Sequence, residues 1–218
     1  MNRLSALWGT TVGKKVAMAV TGIVMILFLV SHMISNVLIF KNPEHLDGYA
    51  AWLRSLGAAL WLARAGLIAC VGIHIAAAYQ LTMLARRARP VAYSKHEYQV
   101  ATYASRTMRW GGVLLLLFIV FHILHFTTGT FHPDFHPGEV GRNVIEGFAV
   151  TPVAIFYFVA MFFLGLHLSH GIWSALQTLG LNHPSYNRSR RLVALGLAIA
   201  VAGGLATIPA AAILGWLK

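Results

Sequence analysis

Five long apolar stretches, separated by shorter polar segments, dominate the pattern of hydrophobic and polar positions along the chain. They lie near residues 15–40, 60–85, 109–131, 152–177 and 192–216. A helix needs about 20 mostly apolar residues to cross the roughly 30 Å hydrocarbon core of a bilayer, and each stretch is long enough. The first is too long for the apolar region of a signal peptide. The pattern predicts an all-α fold, a polytopic membrane bundle of five transmembrane helices, with residues 1–218 forming a single domain.

Composition supports a membrane protein and limits the chemistry that the chain can perform alone. Hydrophobic residues make up 58% of the sequence and charged residues 11%, with a mean hydropathy of +0.68. Cys70 is the single cysteine, so the chain can neither close an internal disulfide nor hold an iron–sulfur cluster through four thiolates. Glycine motifs of nucleotide-binding folds are absent. If the chain transfers electrons, they would therefore have to arrive from another subunit or a lipid-soluble carrier.

The net charge of +11 is distributed as expected for a membrane protein and gives no indication of nucleic-acid binding. Basic residues concentrate on one side of the predicted spans, which the positive-inside rule assigns to the cytoplasm. We therefore expect a multi-pass protein of the cytoplasmic (inner) membrane with its N-terminus inside and Lys218 outside. Twelve of the 17 basic residues lie on the predicted inner side: Arg3, Lys14, Lys15, Arg86, Arg87, Arg89, Lys95, Arg106, Arg109, Arg188, Arg190 and Arg191.

Four of the spans carry a histidine deep within apolar sequence. These residues are His32, His74, His122 and His167. Ionisable groups inside a bilayer are expensive and indicate a functional site in the bundle interior. Neutral imidazole is a normal axial haem ligand, and four histidines on four helices match the requirement of two bis-histidine b haems. A haem-free transporter is the alternative of a different class, but its usual membrane-embedded acidic residues are absent from the middle of the spans.

The depth of each histidine sorts the four into two pairs. At 1.5 Å per residue, His32 lies about 25 Å beyond Lys15, and His122 lies about 20 Å beyond Arg109. These two are predicted to form the outer pair. His74 lies about 18 Å before Arg86, and His167 lies nearer the inner end of its own span, so these two form the inner pair.

Several other polar residues have weaker claims to a site. Residues 41–57 predict an amphipathic helix at the outer interface. The spacing of His132, Asp134 and His136 resembles a metal site but is readily explained by chance in a proline-containing loop. Contact with haem or quinone stays open for three residues: His125, His170 and Arg64. In the outer loop, His45 is expected to be simply solvated. Glu44, Asp47 and Arg54 are candidates for coupling proton uptake or release to an outer haem, but the favoured interpretation is that they are solvated interfacial residues.

Three stretches of this sequence resemble a known family. They are GKKVAMAVTGIVMILFLVSHMISN in the first span, GYAAWLRSLGAALWLARAGLIACVGIHIAAAY leading into the second, and HLSHGIWSALQTLGLNHPSY from the fourth. The chain resembles the single-chain, five-helix, two-haem cytochrome b membrane anchor of succinate:quinone oxidoreductases, which comprise succinate dehydrogenases and fumarate reductases. Members often carry glycine where Ser35 stands, which leaves the ligand position undisturbed. The fourth-span stretch argues against another two-haem anchor, such as that of a hydrogenase or formate dehydrogenase.

The resemblance implies a set of roles. His74 and His167 would hold the iron of the proximal haem, and His32 and His122 that of the distal haem. A flavoprotein subunit and an iron–sulfur subunit would bind on the cytoplasmic side, and the anchor would relay electrons between them and membrane quinone, generally menaquinone. The dicarboxylate active site would lie outside this chain. The resemblance leaves open the direction of the reaction, the quinone-binding residues and a higher oligomer of the complex.

Overall fold

The computed structural model describes residues 3–89, 91 and 101–217, with side chains from residue 6 onward, and this part of the chain is helical. Lys95 and Lys218, on which the predicted charge distribution and orientation partly rest, lie outside the described residues. Two short 3₁₀ helices, Val37–Phe40 and Pro184–Tyr186, accompany the α-helices. The α-helices are α1 (Arg3–Gly9), α2 (Thr11–Asn36), α3 (Pro43–Ser55), α4 (Ala58–Arg87), α5 (Tyr103–Phe126), α6 (Val140–Ala149), α7 (Thr151–Thr178) and α8 (Asn187–Ile213).

Five of the described helices are long and apolar enough to cross a membrane. These are α2, α4, α5, α7 and α8, where α2 and α8 are each extended by a 3₁₀ turn. The chain therefore has the predicted all-α architecture with five candidate spans, and the predicted fold class is confirmed. The helix predicted in the loop after the first span is also present, as α3.

The helix ends differ from the apolar stretches where a cap or a turn sets the boundary. The third stretch was predicted to reach residue 131, but α5 ends at Phe126, and Gly129 then adopts a φ of +74° in the turn that follows. The same helix begins before its apolar stretch because the Thr102 hydroxyl accepts a hydrogen bond from Ser105 N at 3.1 Å. Capping is a local hydrogen-bonding property that hydropathy does not report.

Helix α7 lies at the centre of the bundle and packs against α8, α5 and α2. Its contact with α8 is built from small residues, including Ala160, Ala198 and Ala202, which are 0–7% exposed. Small side chains allow membrane helices to approach closely. Helix α4, in contrast, packs mainly against α2 and leaves much of its surface exposed.

Two short helices cover one end of the bundle. Helices α3 and α6 pack against each other there, and the Asp47 carboxylate accepts a hydrogen bond from Gly141 N at 2.8 Å. We call this the capped end. The opposite end carries most of the described basic side chains and is called the basic end. Asp47 was expected to be an interfacial residue, and it instead caps the first turn of α6 from a neighbouring helix.

Candidate functional site: two histidine pairs

The fold brings together, as two pairs, the four histidines that lie deep within the apolar spans. The imidazole centroids of His32 on α2 and His122 on α5 lie 5.9 Å apart with an interplanar angle of 88°. Those of His74 on α4 and His167 on α7 lie 6.2 Å apart at 50°. All four side chains are partly buried. The partners in space are the same as those assigned from depth along the sequence.

The two pairs occupy different levels of the bundle. His32 and His122 each lie one turn before the end of their helix, near the capped end. His74 contacts α2 at Met18 and Thr21, which lie 11 to 14 residues before His32. At 1.5 Å per residue, the levels are about 16 to 21 Å apart along α2.

The spacing within each pair fits a metal-centred macrocycle. Two imidazoles that bind one metal ion from opposite sides at about 2 Å have ring centroids roughly 6 Å apart. Within the described residues, the helices that face each other across a pair, α2 with α5 and α4 with α7, are not close-packed neighbours. The two imidazoles of each pair therefore meet between helices that are not packed directly against each other.

Hydrogen bonds around His74 favour the tautomer that leaves Nε2 free to bind a metal. Its Nδ1 lies 3.0 Å from Met18 O and 3.4 Å from Thr21 Oγ1. Because a carbonyl oxygen can only accept, Nδ1 carries the proton and Nε2 keeps its lone pair. Gly22 lies on the same face of α2, where a Cβ would come within 3.4 Å of His74 Cε1. This is an ordinary van der Waals distance, so a methyl group at this position would pack against His74 without displacing it.

The His32 imidazole is held by its own helix. Asn36 Nδ2 donates to the backbone carbonyl of His32 at 2.7 Å and lies 3.3 Å from its Nδ1. Phe28 stacks on the ring, with centroids 5.3 Å apart. A neutral imidazole that binds a metal through Nε2 must carry its proton on Nδ1. Metal binding by His32 would therefore require the oxygen of the Asn36 amide to turn toward Nδ1 and accept this proton.

Tyr157 links the second member of this pair to another histidine. Its hydroxyl oxygen, on α7, lies 3.2 Å from Nδ1 of His122 and 3.2 Å from Nδ1 of His125. His125 is fully buried, and its Nε2 has no hydrogen-bond partner. The role of His125 stayed open from the sequence alone, and the structure places this residue behind His122, to which Tyr157 joins it.

His167 and His170 lie in a less polar environment. Nδ1 of His167 is buried and has no hydrogen-bond partner, so no neighbouring group fixes the tautomer of this imidazole. The His170 ring lies 6.0 Å from that of Trp173, over which the Arg191 guanidinium sits at 5.2 Å. His170 therefore belongs to an aromatic and basic cluster between His167 and the basic end.

The loop before α6 does not assemble the three residues whose spacing resembled a metal site. Both ring nitrogens of His132 are used in backbone hydrogen bonds, at 2.7 Å to Asn143 O and 3.1 Å from Asp134 N. Asp134 instead meets His136 at 3.1 Å. The hydrogen bond from His136 is the largest of the effects that hold the pKa of the exposed Asp134 below its usual value. Asp134, His136 and Glu146 lie close together, but Arg142 binds Glu146 at 2.7 Å and supplies the balancing positive charge.

The remaining candidates lie away from the histidine pairs. Arg64 is exposed near the start of α4, with its guanidinium 4.9 Å from the centre of the Trp61 ring. Glu44, His45 and Arg54 are exposed on α3.

Sequence reasoning missed Tyr157. A phenol inside a membrane span needs a hydrogen-bond partner, and this requirement was a usable signal. Tyr157 also lies ten residues before His167 on α7, about 15 Å along the helix, which is slightly less than the separation of the two levels along α2. The identity of its partners could not be read from the sequence, because both lie on a different helix.

Comparison with known families gives one match. Residues 83–205 match the family described as the succinate dehydrogenase/fumarate reductase transmembrane subunit. The matched segment runs from the end of α4 into α8 and includes His122, His167 and Tyr157, whereas His32 and His74 precede it. Neither curated proteins nor solved structures give a significant match. Because the match covers more than half of the chain, this protein belongs to the succinate dehydrogenase/fumarate reductase transmembrane-subunit family.

Proposed function

We propose that this chain is the two-haem cytochrome b anchor of a succinate dehydrogenase, a succinate:menaquinone oxidoreductase. It would relay electrons through two b haems between an iron–sulfur subunit and membrane quinone, and it would anchor the catalytic subunits. The observation that carries the proposal is the presence of two imidazole pairs, with centroid distances of 5.9 and 6.2 Å, at two levels of one bundle.

Family membership supplies the coarser part of this function. The chain is a multi-pass membrane subunit of a succinate:quinone oxidoreductase complex, and the family implies association with the catalytic subunits. Proteins of this family typically bind haem. The number of haems, the quinone and the orientation belong to our proposal.

Each histidine would have a distinct role in holding the cofactors. His74 and His167 would hold the proximal haem, and His32 and His122 the distal haem. When bound, such a group supplies a one-electron redox centre whose potential depends on the axial ligands, their hydrogen bonds and burial. Met18 O would keep the proton of His74 on Nδ1, and Tyr157 would do the same for His122.

The distribution of charge supports the proposed orientation. The basic end would face the cytoplasm by the positive-inside rule, and the flavoprotein and iron–sulfur subunits would dock there. The pair His74 and His167 lies toward this end and is therefore the proximal pair. Quinone chemistry would take place toward the capped end, beyond His32 and His122.

A reduced-minus-oxidised spectrum of the purified full chain, with haem measured per polypeptide, tests the proposal. We expect two b-type haems per chain. In His167→Ala, the proximal haem should be lost while the distal haem is largely retained, because His32 and His122 lie on other helices. His45→Ala, at an exposed histidine of α3, is the control and should keep both. A folded wild-type chain without haem would refute the cytochrome function, and two haems in His167→Ala would refute the ligand assignment.

A further inference from the structure

A hydrogen-bonded chain of three side chains leads away from the pair nearer the capped end. It runs from Nδ1 of His122 to the hydroxyl of Tyr157 and on to Nδ1 of His125, with both separations 3.2 Å. The ring of Tyr157 is fixed by edge-to-face contacts with Phe118 at 4.9 Å and Phe148 at 4.8 Å.

The hydroxyl of Tyr157 has a single proton, so it can donate to only one of the two histidines at a time. The hydrogen-bonded series of three side chains therefore has a direction. If Tyr157 donates to His125, its oxygen can accept the Nδ1 proton of His122, and Nε2 of His122 keeps its lone pair. If the hydroxyl donates to His122 instead, the His122 proton must sit on Nε2. In that arrangement His122 cannot bind a metal, so metal binding and the direction of the chain are linked.

His125 is held in place to act as the terminal acceptor. It is fully buried, and its ring stacks with Phe121 at 5.3 Å and His132 at 5.2 Å. In the direction that frees Nε2 of His122, the His125 proton lies on its own Nε2, the buried atom that lacks a partner. A buried polar group without a hydrogen-bond partner is unfavourable, so Nε2 of His125 calls for an explanation.

The other pair is held differently. His74 donates to a backbone carbonyl, which has no proton and cannot reverse its role, and Nδ1 of His167 has no partner. The hydroxyl of Thr21 also lies 3.4 Å from Nδ1 of His74, but it donates its proton to Ala17 O at 2.7 Å. Tyr157 differs because its hydroxyl lies between two histidines and can donate to either of them.

We propose that Tyr157 and His125 are positioning residues that hold His122 in the Nδ1–H tautomer and thereby lower the redox potential of the haem it binds. The inference rests on the proposed haem ligation by His122. An imidazole that donates its N–H to an acceptor is a more basic ligand, and a more basic ligand favours the oxidised metal. The effect should be confined to the haem between His32 and His122.

Tyr157→Phe tests this role because it removes the hydroxyl and keeps every ring contact. The full chain would be titrated electrochemically while the haem absorbance is followed, with haem measured per polypeptide. We expect two haems, one of which becomes easier to reduce. At fixed potential, its ratio of reduced to oxidised form should rise roughly fivefold, which is about 40 mV at 59 mV per tenfold change. The other haem should be unchanged.

Two further variants make the result specific. Tyr79→Phe removes the hydroxyl of a tyrosine that is 65% exposed on α4 and should leave both potentials unchanged. His125→Phe keeps an aromatic ring but removes the acceptor, so it should shift the same haem in the same direction. Combined with Tyr157→Phe, it should add little, since groups that act through one chain are not additive.

The outcomes separate this inference from the proposed function. Wild-type chain without haem would refute the function itself. Two haems in Tyr157→Phe with both potentials unchanged would refute the positioning role and leave the function intact. Loss of the haem at His32 and His122 alone would support the role, since only the hydroxyl is missing. If Tyr157→Phe does not fold, the potentials of His125→Phe decide in the same way.

Discussion

Gly147→Ala should disturb the wall behind the His32–His122 pair. Gly147 lies on α6, where an added Cβ would come within 2.9 Å of His125 Cε1 and 2.9 Å of Phe126 Cε1. Contacts this short require the neighbours to move. His125 has little freedom to do so, because it is fully buried and its ring is surrounded by other aromatic rings.

The expected magnitude follows from two opposing effects. Replacing glycine by alanine in a helix lowers the backbone entropy cost and contributes about 1 kcal/mol of stability. Forcing an additional methyl group into a well-packed region costs about 1–3 kcal/mol. Gly196→Ala on α8 is the matched control, because nothing lies within 4 Å of the position that its added methyl group would take, and only the favourable effect applies. Gly147→Ala should therefore be less stable than the control by about 1–3 kcal/mol.

Both variants would be compared as the purified full chain in the same mild detergent, by thermal unfolding and by the haem spectrum. Gly147→Ala should unfold at lower temperature than Gly196→Ala, and the haem at His32 and His122 should change its spectrum or potential while the other does not. Equal unfolding temperatures together with unaltered spectra would show that α6 does not hold His125 against the site.

Two further predictions concern the capped end. Asp47→Ala should destabilise the chain by about 1 kcal/mol because it removes the carboxylate that accepts a hydrogen bond from Gly141 N. Asp47→Asn should recover part of this loss. Equal unfolding temperatures for wild type and Asp47→Ala would contradict the prediction. Asp134 has a lowered pKa, so its ionised form stabilises the fold above the ordinary carboxyl pKa of about 3.9, and this stabilisation is lost as the pH falls through the folded-state value. The unfolding temperature of wild type should therefore exceed that of Asp134→Asn near neutral pH and approach it in acid, whereas a constant difference down to acid pH would refute this reasoning.

Local sequence was sufficient for the fold class, and it singled out four histidines as candidate ligands. A run of about 20 apolar residues can bury its backbone polar groups in a bilayer only as a helix, so the spans follow from hydropathy alone. An imidazole in such a run stands out against its apolar neighbours. The helix ends were less accessible, as the end of α5 at Phe126 shows, because turns and caps involve a few specific hydrogen bonds.

The loop before α6 shows that residue spacing alone does not determine a metal site. The spacing of His132, Asp134 and His136 is visible in the sequence, but in the structure both ring nitrogens of His132 form hydrogen bonds with the backbone. Helix α6 itself was not predicted, because ten residues of mixed polarity produce no membrane signal. The role of Asp47 as a cap for Gly141 depends on a contact between residues 94 positions apart.

The sequence by itself determined that this is a five-span helical membrane protein with one histidine deep within each of four spans, because burial in lipid constrains each segment separately. Only the tertiary structure decided what surrounds those histidines. Tyr157 and His122 lie on different helices, as do His74 and Met18, and hydrogen bonds between helices depend on how the helices pack. The same packing places α3 and α6 over the capped end and His125 behind His122, because these positions depend on contacts between residues far apart in the sequence.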